Sequence, residues 1–538
     1  MIRKAFWYGA LILLAADALM QVLAGWQGDK EWLLLASRMM LGGKTLYVDI
    51  FEVDPPLIVW LYTVPVWLSL HVTFLQDYQI LVLIGLATAA LAVWLGVCLI
   101  RLHPAFVDDA QQRKAFALLL AYTLVFFSTQ IYFFDRDHVF FVLVFPYLLR
   151  FMPSLAGQTI PLRLRITIGV LAGIGFCIKP HTAVVFAIVQ LWGLFGQRSR
   201  TMLWSMENYI IAAIAAIYLF CVWRFAPDYL TTVLPMAMAT YSGFNRKINA
   251  YLFIALALVS AGLTFADFRP RHTTPYRRDV YYFIVVCLAF LAYALVGNGW
   301  GYTYNPLLCT LLFVSGWVLW EYCWLKRDAQ AQGLSARPFV FGVRATAANI
   351  LLNTIYIILC IGMFFLGNPC GDKECKPDPY LQYMKEHHDR SFGTMALNLR
   401  RFTSLARQVP AQWNTRFNHL WMLPQLMLDD PESARKHLWV LEYVALAYAK
   451  DLQRRKPDIL FVDRSDGIFG YPHFVDIPAF FSRVPEFKEA WSHYRYVSTI
   501  DQCDSAEAES KPQKQQPSTR NKPIHIECRY DIYRFIAP

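Results

Sequence analysis

The feature that most constrains this chain is a succession of long apolar stretches. About 20 mainly apolar residues in a helix are enough to cross the roughly 30 Å hydrocarbon core of a bilayer. We predict eleven such spans, at 5–24, 79–100, 115–133, 139–152, 166–178, 182–196, 206–225, 250–267, 280–296, 306–325 and 345–366. The composition agrees, because 57% of the residues are hydrophobic and 17% are charged, against roughly 45–50% and 25% in soluble proteins. The sequence predicts a polytopic α-helical membrane protein.

The distribution of basic residues predicts the orientation. The net charge is +11, but most of the excess lies between the spans, where Lys and Arg set topology, so we expect no nucleic-acid partner. One set of connections holds 18 Lys and Arg and the opposite set holds eight. The richer set is then cytoplasmic, together with the N-terminus, where Arg3 and Lys4 precede a retained anchor. We therefore expect a multi-pass protein of a bacterial inner membrane whose C-terminal part is periplasmic.

The segment Pro56–Leu70 decides this topology. It is apolar, but it is short and contains Pro65, and as a twelfth span it would invert every later loop. We place it along the outer interface as a juxtamembrane helix. Residues 25–78 then form one external loop with two such helices.

The chain is expected to have two domains, a transmembrane domain at 1–366 and an external α/β domain at 367–538. Strand-like runs alternate with helical ones in the second domain. Its four cysteines, Cys370, Cys375, Cys503 and Cys528, suit an oxidising compartment. The polar stretch near 504–523 has the composition of a disordered loop.

Ionisable residues cluster on the outer side of this topology. The first loop carries Asp29, Glu52 and Asp54, and the second carries Asp135, Arg136, Asp137 and His138, with Lys179 and His181 after the fifth span. From Arg150 back to His138, and from Arg165 up to Lys179, the helices are too short to cross the core. The second-loop and fifth-span charges are therefore expected in a wet recess below the outer surface.

Structural explanations compete at several of these positions. Asp29 is also a good N-cap for the helix that follows, and Asp135–Arg136–Asp137 is also a local ion pair at a helix start. Arg246 and Lys247 are explained as well by snorkelling. Three aromatic residues, Trp300, Tyr302 and Tyr304, suit either a sugar ring or an interfacial aromatic belt.

Three sequence stretches resemble the type C glycosyltransferase superfamily, the membrane enzymes that use polyprenyl-phosphate-linked sugars on the external face. GDKEWLLLASRMMLGGKTLYVDIFEVDPPLIVWL has the family's acidic residue at the start of a juxtamembrane helix and its acidic–Pro–Pro element. FFDRDHVFF resembles the second acidic motif, and GFCIKPH the lysine-bearing short helix pair. The likeness is nearest to the protein O-mannosyltransferases and the lipid A aminoarabinose transferases. It covers roughly the first 200 residues.

The resemblance implies an enzyme with a type C architecture and assigns roles to its residues. Asp29 would be the general base of an inverting transfer, or the carboxylate that positions the acceptor, and Asp137 would be the second acidic catalytic residue. Aminoarabinose transferases carry a Lys before the Pro–Pro pair, where this chain has Asp54. The donor phosphate would therefore be bound by Lys179, Arg136, Arg246 and Lys247. The sugar or acceptor would contact Glu52, Asp54, His138, His181, Trp300, Tyr302 and Tyr304.

The expected partners are a polyprenyl-phosphate-linked sugar, membrane lipid, and a glycan, lipid or protein acceptor. Absence of the WWD motif argues against transfer of a whole oligosaccharide. No cofactor is required, although Asp49, Glu52, Asp54, Asp137 and His138 would suit a divalent metal ion if their loops converged. Two other functions stay open: a transporter or flippase for a lipid-linked sugar, and a non-catalytic scaffold or sensor.

Overall fold

The structure is a computed structural model. It describes residues 2–23, 29–107, 109–126, 132–241, 275–297, 301–331, 378–397, 400–409, 412–427, 431–464, 474–501 and 529–536. Contacts group the chain into two compact units. Unit 1 comprises 1–27, 64–221 and 246–372, and unit 2 comprises 28–63, 222–245 and 373–538.

Long helices account for most of the described part of residues 1–331. They are α1 (Ile2–Leu23), α2 (Asp29–Leu41), α3 (Pro56–His71), α4 (Asp77–Ile100), α5 (Ala110–Ala121), α6 (Arg136–Arg150), α7 (Leu162–Phe176), α8 (Ala183–Leu191), α9 (Met206–Phe225), α10 (Leu234–Thr240), α11 (Pro275–Val296) and α12 (Asn305–Ala331). Single turns of π-helix extend α5 through Phe126 and α8 through Gly196.

Nine of the eleven predicted spans coincide with these helices, and the spans at 250–267 and 345–366 lie outside the described residues. Three described helical segments are long and apolar enough to cross a membrane: Asp77–Ile100, Met206–Phe225 and Arg278–Val296. Shorter apolar segments are Trp7–Leu23, Pro56–His71 and Pro180–Gly196. The helix predicted at Pro56–Leu70 is confirmed, with Pro65 inside it. Its position along the bilayer surface stays a prediction.

The core of unit 1 is built around α6, whose residues from Arg136 to Leu149 are all buried. Helices α4 and α7 pack on it. Gly175 of α7 permits a close approach, because a Cβ there would lie 2.7 Å from Val144. Phe145 contacts Phe313 of α12 at a ring-centroid distance of 5.2 Å. The middle of α6 is therefore packed against several neighbouring helices.

Unit 2 contains a mixed five-stranded sheet of order β2-β1-β3-β5-β4. The strands are β1 (Ser391–Met395), β2 (Gln412–Trp413), β3 (Ile459–Asp463), β4 (Tyr494–Asp501) and β5 (Arg529–Phe535). Strand β1 pairs in parallel with β2 and β3, while β5 is antiparallel to β3 and β4. Each of the four predicted strand-like runs forms a strand, and β2 was not predicted. The four tail cysteines and the predicted disordered loop lie outside the described residues.

Helices cover the central strand of this sheet. They are α13 (Pro379–His387), α14 (Arg400–Gln408), α15 (Leu423–Leu426), α16 (Pro431–Arg455), α17 (Ile477–Phe481) and α18 (Pro485–Trp491). Every residue of β3 is buried, as expected of a strand with both faces covered. The ring of Phe461 lies 5.6 Å from that of Tyr380 and 5.3 Å from that of Phe402.

Residues 28–63, part of the predicted first loop, pack within unit 2 against elements of the tail. Helix α2 contacts α14, and the Arg407 guanidinium donates to the Glu31 carboxylate at 2.7 Å. The Phe51 and Phe417 rings lie 4.7 Å apart, and the Phe51 amide donates to the Arg416 carbonyl oxygen. The first loop and the tail therefore share one core, which the sequence did not indicate.

We expect Gly85→Ala to destabilise unit 1. A Cβ at Gly85 would lie 2.6 Å from the Phe134 ring, just before α6 begins. Phe134 has a φ of 55°, so its backbone has little freedom to adjust. Overpacking of this kind typically costs about 1–3 kcal/mol. The thermal unfolding midpoint of the full chain in detergent measures the loss.

Gly9→Ala is the matched control, because a Cβ at Gly9 has nothing within 4 Å. In a helix that change is neutral or stabilising by up to about 1 kcal/mol. Equal midpoints for the two variants would show that the helix start is not tightly packed against α4.

Candidate functional site

A buried ion pair forms the centre of the candidate site in unit 1. The Lys179 ammonium donates to one Asp137 carboxylate oxygen at 2.7 Å. The Tyr293 hydroxyl donates to the other oxygen. Asp137 is 1% exposed and Lys179 is 6% exposed. The pair joins the start of α6, the break between α7 and α8, and the last turns of α11.

The sequence places Asp137 by starting a helix immediately before it. Asp135 is the N-cap of α6 and accepts a hydrogen bond from the Arg136 amide at 2.7 Å. Asp137 then lies in the first turn, where a carboxylate complements the positive end of the helix dipole. The chain turns sharply at Phe134, whose amide donates to His138 Nδ1 at 2.9 Å. Local structure therefore places the Asp137 carboxylate in the first turn of α6.

Lys179 is presented by a break in the helix. The residue before a proline favours extended backbone, and Lys179, which precedes Pro180, has φ −139° and ψ 143°. The Thr182 hydroxyl lies 2.6 Å from the carbonyl oxygens of both Phe176 and Lys179, so it stabilises the turn between α7 and α8. The break frees Lys179 from the helix, and its ammonium can reach Asp137.

A second cation and an aromatic ring border the pair. The Arg136 guanidinium carbon lies 5.4 Å from the centre of the Tyr302 ring, and the Lys179 ammonium lies 5.1 Å from it. Both distances are within the range of cation–π attraction. Arg136 also lies 3.5 Å from the Asp135 carboxylate. Two cations and two carboxylates thus meet beside one phenol ring.

The pKa of Asp137 follows from these neighbours. Burial alone would raise the pKa of the carboxyl, but Lys179 and Arg136 outweigh burial, and the hydrogen bonds from Lys179 and Tyr293 add to their effect. The pKa is therefore below its ordinary value, and Asp137 is ionised at neutral pH. A carboxylate held in this way is a weak base.

His181 lies next to the pair. Its ring stacks on Tyr293, with centroids 4.8 Å apart. Burial, then the positive charge of Lys179, lowers the pKa of the imidazole to about 4, so the ring is neutral at pH 7. Within the described part of the chain, its buried Nε2 has no hydrogen-bond partner.

His138 has a different environment. Its Nδ1 accepts from the Phe134 amide, and its Nε2 lies 3.0 Å from the Leu124 carbonyl oxygen. Both ring nitrogens are therefore engaged with the backbone. The predicted contact of His138 with sugar or acceptor stays a prediction, and the side chain already fixes the turn before α6.

The acidic residues of the first loop lie in unit 2. Asp29 is the first residue of α2 and is half-buried. Glu52 accepts from the Trp32 indole and from the Asp54 amide, and the Tyr47 hydroxyl donates to the Asp54 carbonyl oxygen. The acidic–Pro–Pro element is thus held in one conformation by its own loop.

A polar cavity of about 330 Å³ also lies in unit 2. Its lining includes Lys44, Asp49, Gln412, Asn414 and Arg455. Arg455 donates to Asp49, and the Lys44 ammonium donates to the Trp413 carbonyl oxygen at 2.8 Å. The cavity brings the first loop and the tail together around polar groups.

The residues considered for a divalent metal ion do not assemble. Among the described residues, no group of three or more His, Cys, Asp or Glu has a spacing that would hold one. Asp49 instead pairs with Arg455, Glu52 accepts from Trp32, and Asp137 pairs with Lys179. Binding of a divalent ion depended on convergence of these loops, and the described residues give no support for it.

The structure describes only some of the remaining predicted site residues. Arg246, Lys247 and Trp300 lie outside the described residues. Tyr302 joins the ion-pair cluster, and Tyr304 is fully buried. Tyr293 was not predicted as a site residue, because it lies within the predicted apolar span at 280–296. The available signal was a tyrosine within one turn of the predicted outer end of that span.

Comparisons with known proteins give matches only among solved structures. No family model matches the chain, and no curated protein matches it. The structure of ArnT from Cupriavidus metallidurans in the apo state has a TM-score of 0.47 and 14% identity, covering 85% of this chain and 93% of that chain. The apo oligosaccharyltransferase of Archaeoglobus fulgidus has a TM-score of 0.43 and 12% identity, covering 98% and 89%.

A double-mutant cycle tests the central ion pair. Lys179→Met leaves the Asp137 charge buried without its partner, a change that typically costs about 3–5 kcal/mol. Adding Asp137→Asn removes the stranded charge, so the double variant should be more stable than the sum of the single losses predicts. Thermal unfolding midpoints of the four proteins in one detergent give the comparison. Strict additivity would contradict a direct pair.

Proposed function

We propose that this protein is an integral membrane glycosyltransferase. It would transfer a single sugar from a polyprenyl-phosphate donor to a glycan, lipid or protein acceptor of the cell envelope. The observation that carries the proposal is the Asp137–Lys179 pair with Arg136 and Tyr302, buried at the ends of apolar helices. Ionisable groups in such a setting are costly and usually functional.

The donor phosphate would bind at Lys179 and Arg136. Four charges balance there, two from these cations and two from Asp135 and Asp137. An arriving phosphate would accept hydrogen bonds from both cations, and each cation would also remain close to its carboxylate. Arg246 and Lys247 are proposed as further phosphate contacts. As the bond from sugar to phosphate breaks, these cations would stabilise the charge of the leaving group.

The chemical step would be inverting displacement. The carboxylate of Asp29 would take the proton of the acceptor hydroxyl while its oxygen attacks the anomeric carbon. The bond from that carbon to the phosphate oxygen breaks, and the polyprenyl phosphate leaves from the opposite face. A phosphate leaving group needs no protonation by a general acid, so one carboxylate base suffices.

Asp137 would act on the donor side rather than as the base. Its lowered pKa makes it a weak base, and its two oxygens are occupied by Lys179 and Tyr293. We propose that it positions the Lys179 ammonium for the phosphate. This gives the second acidic residue of the motif an electrostatic role.

The sugar would lie against His181 and the aromatic residues. The buried Nε2 of neutral His181 offers a hydrogen-bonding group for a sugar hydroxyl. Tyr302 and Tyr304, and Trp300 in the same segment, would supply aromatic faces. Glu52 and Asp54 are proposed on the acceptor side, with His138 supporting the second loop.

The proposal includes a location. The basic residues between the spans support a bacterial inner membrane protein with a cytoplasmic N-terminus and a periplasmic C-terminal domain. The acceptor would then be met on the periplasmic side. Pro56–His71 would lie along that surface.

Two alternatives predict different outcomes. A flippase for a lipid-linked sugar would also use buried charges, and a scaffold or sensor would act through its tail. A flippase moves the donor without cleaving it, and a scaffold tolerates loss of the carboxylates. Formation of a new glycosidic bond therefore separates the proposal from both.

We expect Asp29→Asn to abolish transfer of radiolabelled sugar from a polyprenyl-phosphate donor to envelope acceptors. Removal of a general base typically lowers the rate 10²–10⁴-fold. Transfer would be measured with membranes from cells that express each variant. The thermal unfolding midpoint shows whether the variant stays folded.

Arg38→Gln is the control for this variant, because it removes an exposed charge from the same helix. It should transfer sugar at the wild-type rate. Wild-type transfer by a folded Asp29→Asn protein would reject the base role.

We expect Arg136→Gln to raise the KM for the donor about tenfold or more, because hydrogen bonds to charged groups contribute about 1.5–3 kcal/mol. The KM for the acceptor should change little. Initial rates at varied donor concentration measure the effect, with Arg113→Gln on α5 as the control. An unchanged donor KM in a folded protein would remove Arg136 from the phosphate site.

A further inference from the structure

A second cavity in unit 1 lies at the other ends of the helices that carry the ion pair. It has a volume of about 620 Å³, and its lining includes Arg150, Arg165 and Arg278. Arg150 is the last residue of α6, whereas Asp137 is near its start. Fourteen residues of helix separate Arg136 from Arg150, a rise of about 21 Å. In the same way, α7 has Arg165 near its start and ends just before Lys179, and α11 has Arg278 near its start and Tyr293 near its end. The cavity is therefore distinct from the candidate site.

The charge of this cavity is positive. Glu207 is fully buried and accepts from Arg150 at 3.1 Å and from Arg165 at 2.9 Å through two nitrogens. One carboxylate therefore faces two guanidinium groups. With Arg278, three positive charges meet one negative charge at this cavity, an excess of two.

Arg278 contributes an accessible guanidinium. It is exposed, and it forms no ion pair within the described part of the chain. The neighbouring Asp279 carboxylate has other partners, because it lies 2.8 Å from His103 Nε2 and accepts from Ser154. Arg278 is thus available to an anion entering the cavity.

Neutral donors complete the lining. The Trp192 indole lines the cavity, and its buried Nε1 has no hydrogen-bond partner among the described residues. The hydroxyls of Ser199, Thr201 and Ser205 lie in the same lining. A phosphate has oxygens enough to accept from both the arginines and these neutral groups.

The surroundings indicate a lipid as the source of the phosphate. Trp204 lines the cavity and is 69% exposed, as is typical of aromatic side chains at a membrane interface. Helix α9 starts beside it and exposes Ile217, Leu219 and Phe220. Basic pockets between membrane helices commonly bind anionic lipid head groups.

We propose that this cavity binds the phosphate head group of an anionic membrane lipid. The phosphate would contact Arg278 and Trp192 and share Arg150 and Arg165 with Glu207. The lipid would hold together the ends of α6, α7 and α11 that are remote from the ion pair. This site is separate from the proposed glycosyl transfer and does not depend on it.

Lipid binding by the purified full chain tests the proposal. Mixed micelles containing phosphatidylglycerol should raise the thermal unfolding midpoint, whereas phosphatidylcholine and inorganic phosphate at the same concentration should not. Arg278→Gln should weaken the apparent affinity for phosphatidylglycerol about fivefold, because each basic residue near an anionic surface contributes about 1 kcal/mol. Trp192→Phe keeps the ring and removes only the N–H donor, and it should weaken binding as well.

Arg163→Gln is the matched control. Arg163 is exposed near the start of α7 and does not line the cavity, so its substitution should leave binding unchanged. Equal stabilisation by phosphatidylcholine, or wild-type binding by both cavity variants, would overturn the proposal. Stabilisation by inorganic phosphate that displaces the lipid would assign the cavity to a soluble anion instead. Sugar transfer by Arg278→Gln in saturating lipid should match the wild type, so this result is independent of the catalytic proposal.

Discussion

The buried Asp137–Lys179 ion pair is the interaction on which the rest of unit 1 depends. It joins α6, the break after α7 and the end of α11, three segments far apart in the sequence. A charge buried in an apolar setting is costly unless it is paired and hydrogen-bonded. Each partner therefore requires the other, and Tyr293 satisfies the second carboxylate oxygen. The pair therefore adds a specific polar contact to the apolar packing of these helices.

Helix α6, which carries Asp137 of this pair, has charged groups at both of its ends. One end of α6 carries a carboxylate and a guanidinium beside a lysine, and the other end carries Arg150 against Glu207. An apolar, fully buried stretch separates the two ends. Both ends carry cations, which are buried beside carboxylates at one end and line a cavity at the other. The donor phosphate is proposed to bind at the end with Lys179, and the lipid head group at the end with Arg150. Different residues contact the two groups.

The first loop is held in place both by contacts within the loop and by contacts with distant parts of the chain. Its acidic–Pro–Pro element is held by Trp32 and Tyr47 from the same loop. Its position in unit 2 depends on Arg407 and Phe417, more than 350 residues away. The sequence motif predicted the two helices of this loop, but not the contacts of Trp32 and Tyr47. It carried no signal for the contacts with Arg407 and Phe417, because a contact with a distant chain segment leaves no periodicity in either partner.

The sequence by itself determined where helices and strands form. Apolar stretches of the right length predicted α4, α9 and α11, and alternating runs predicted β1, β3, β4 and β5, because both patterns follow from local geometry. It also placed Asp137 and Lys179 in one recess and named Tyr302 as a candidate sugar contact. Only the tertiary structure decided that Tyr293 completes the pair, that His138 serves the backbone, and that Arg150, Arg165 and Arg278 meet around one cavity. Those outcomes depend on which helix faces are adjacent, and side-chain packing over the whole unit sets that adjacency.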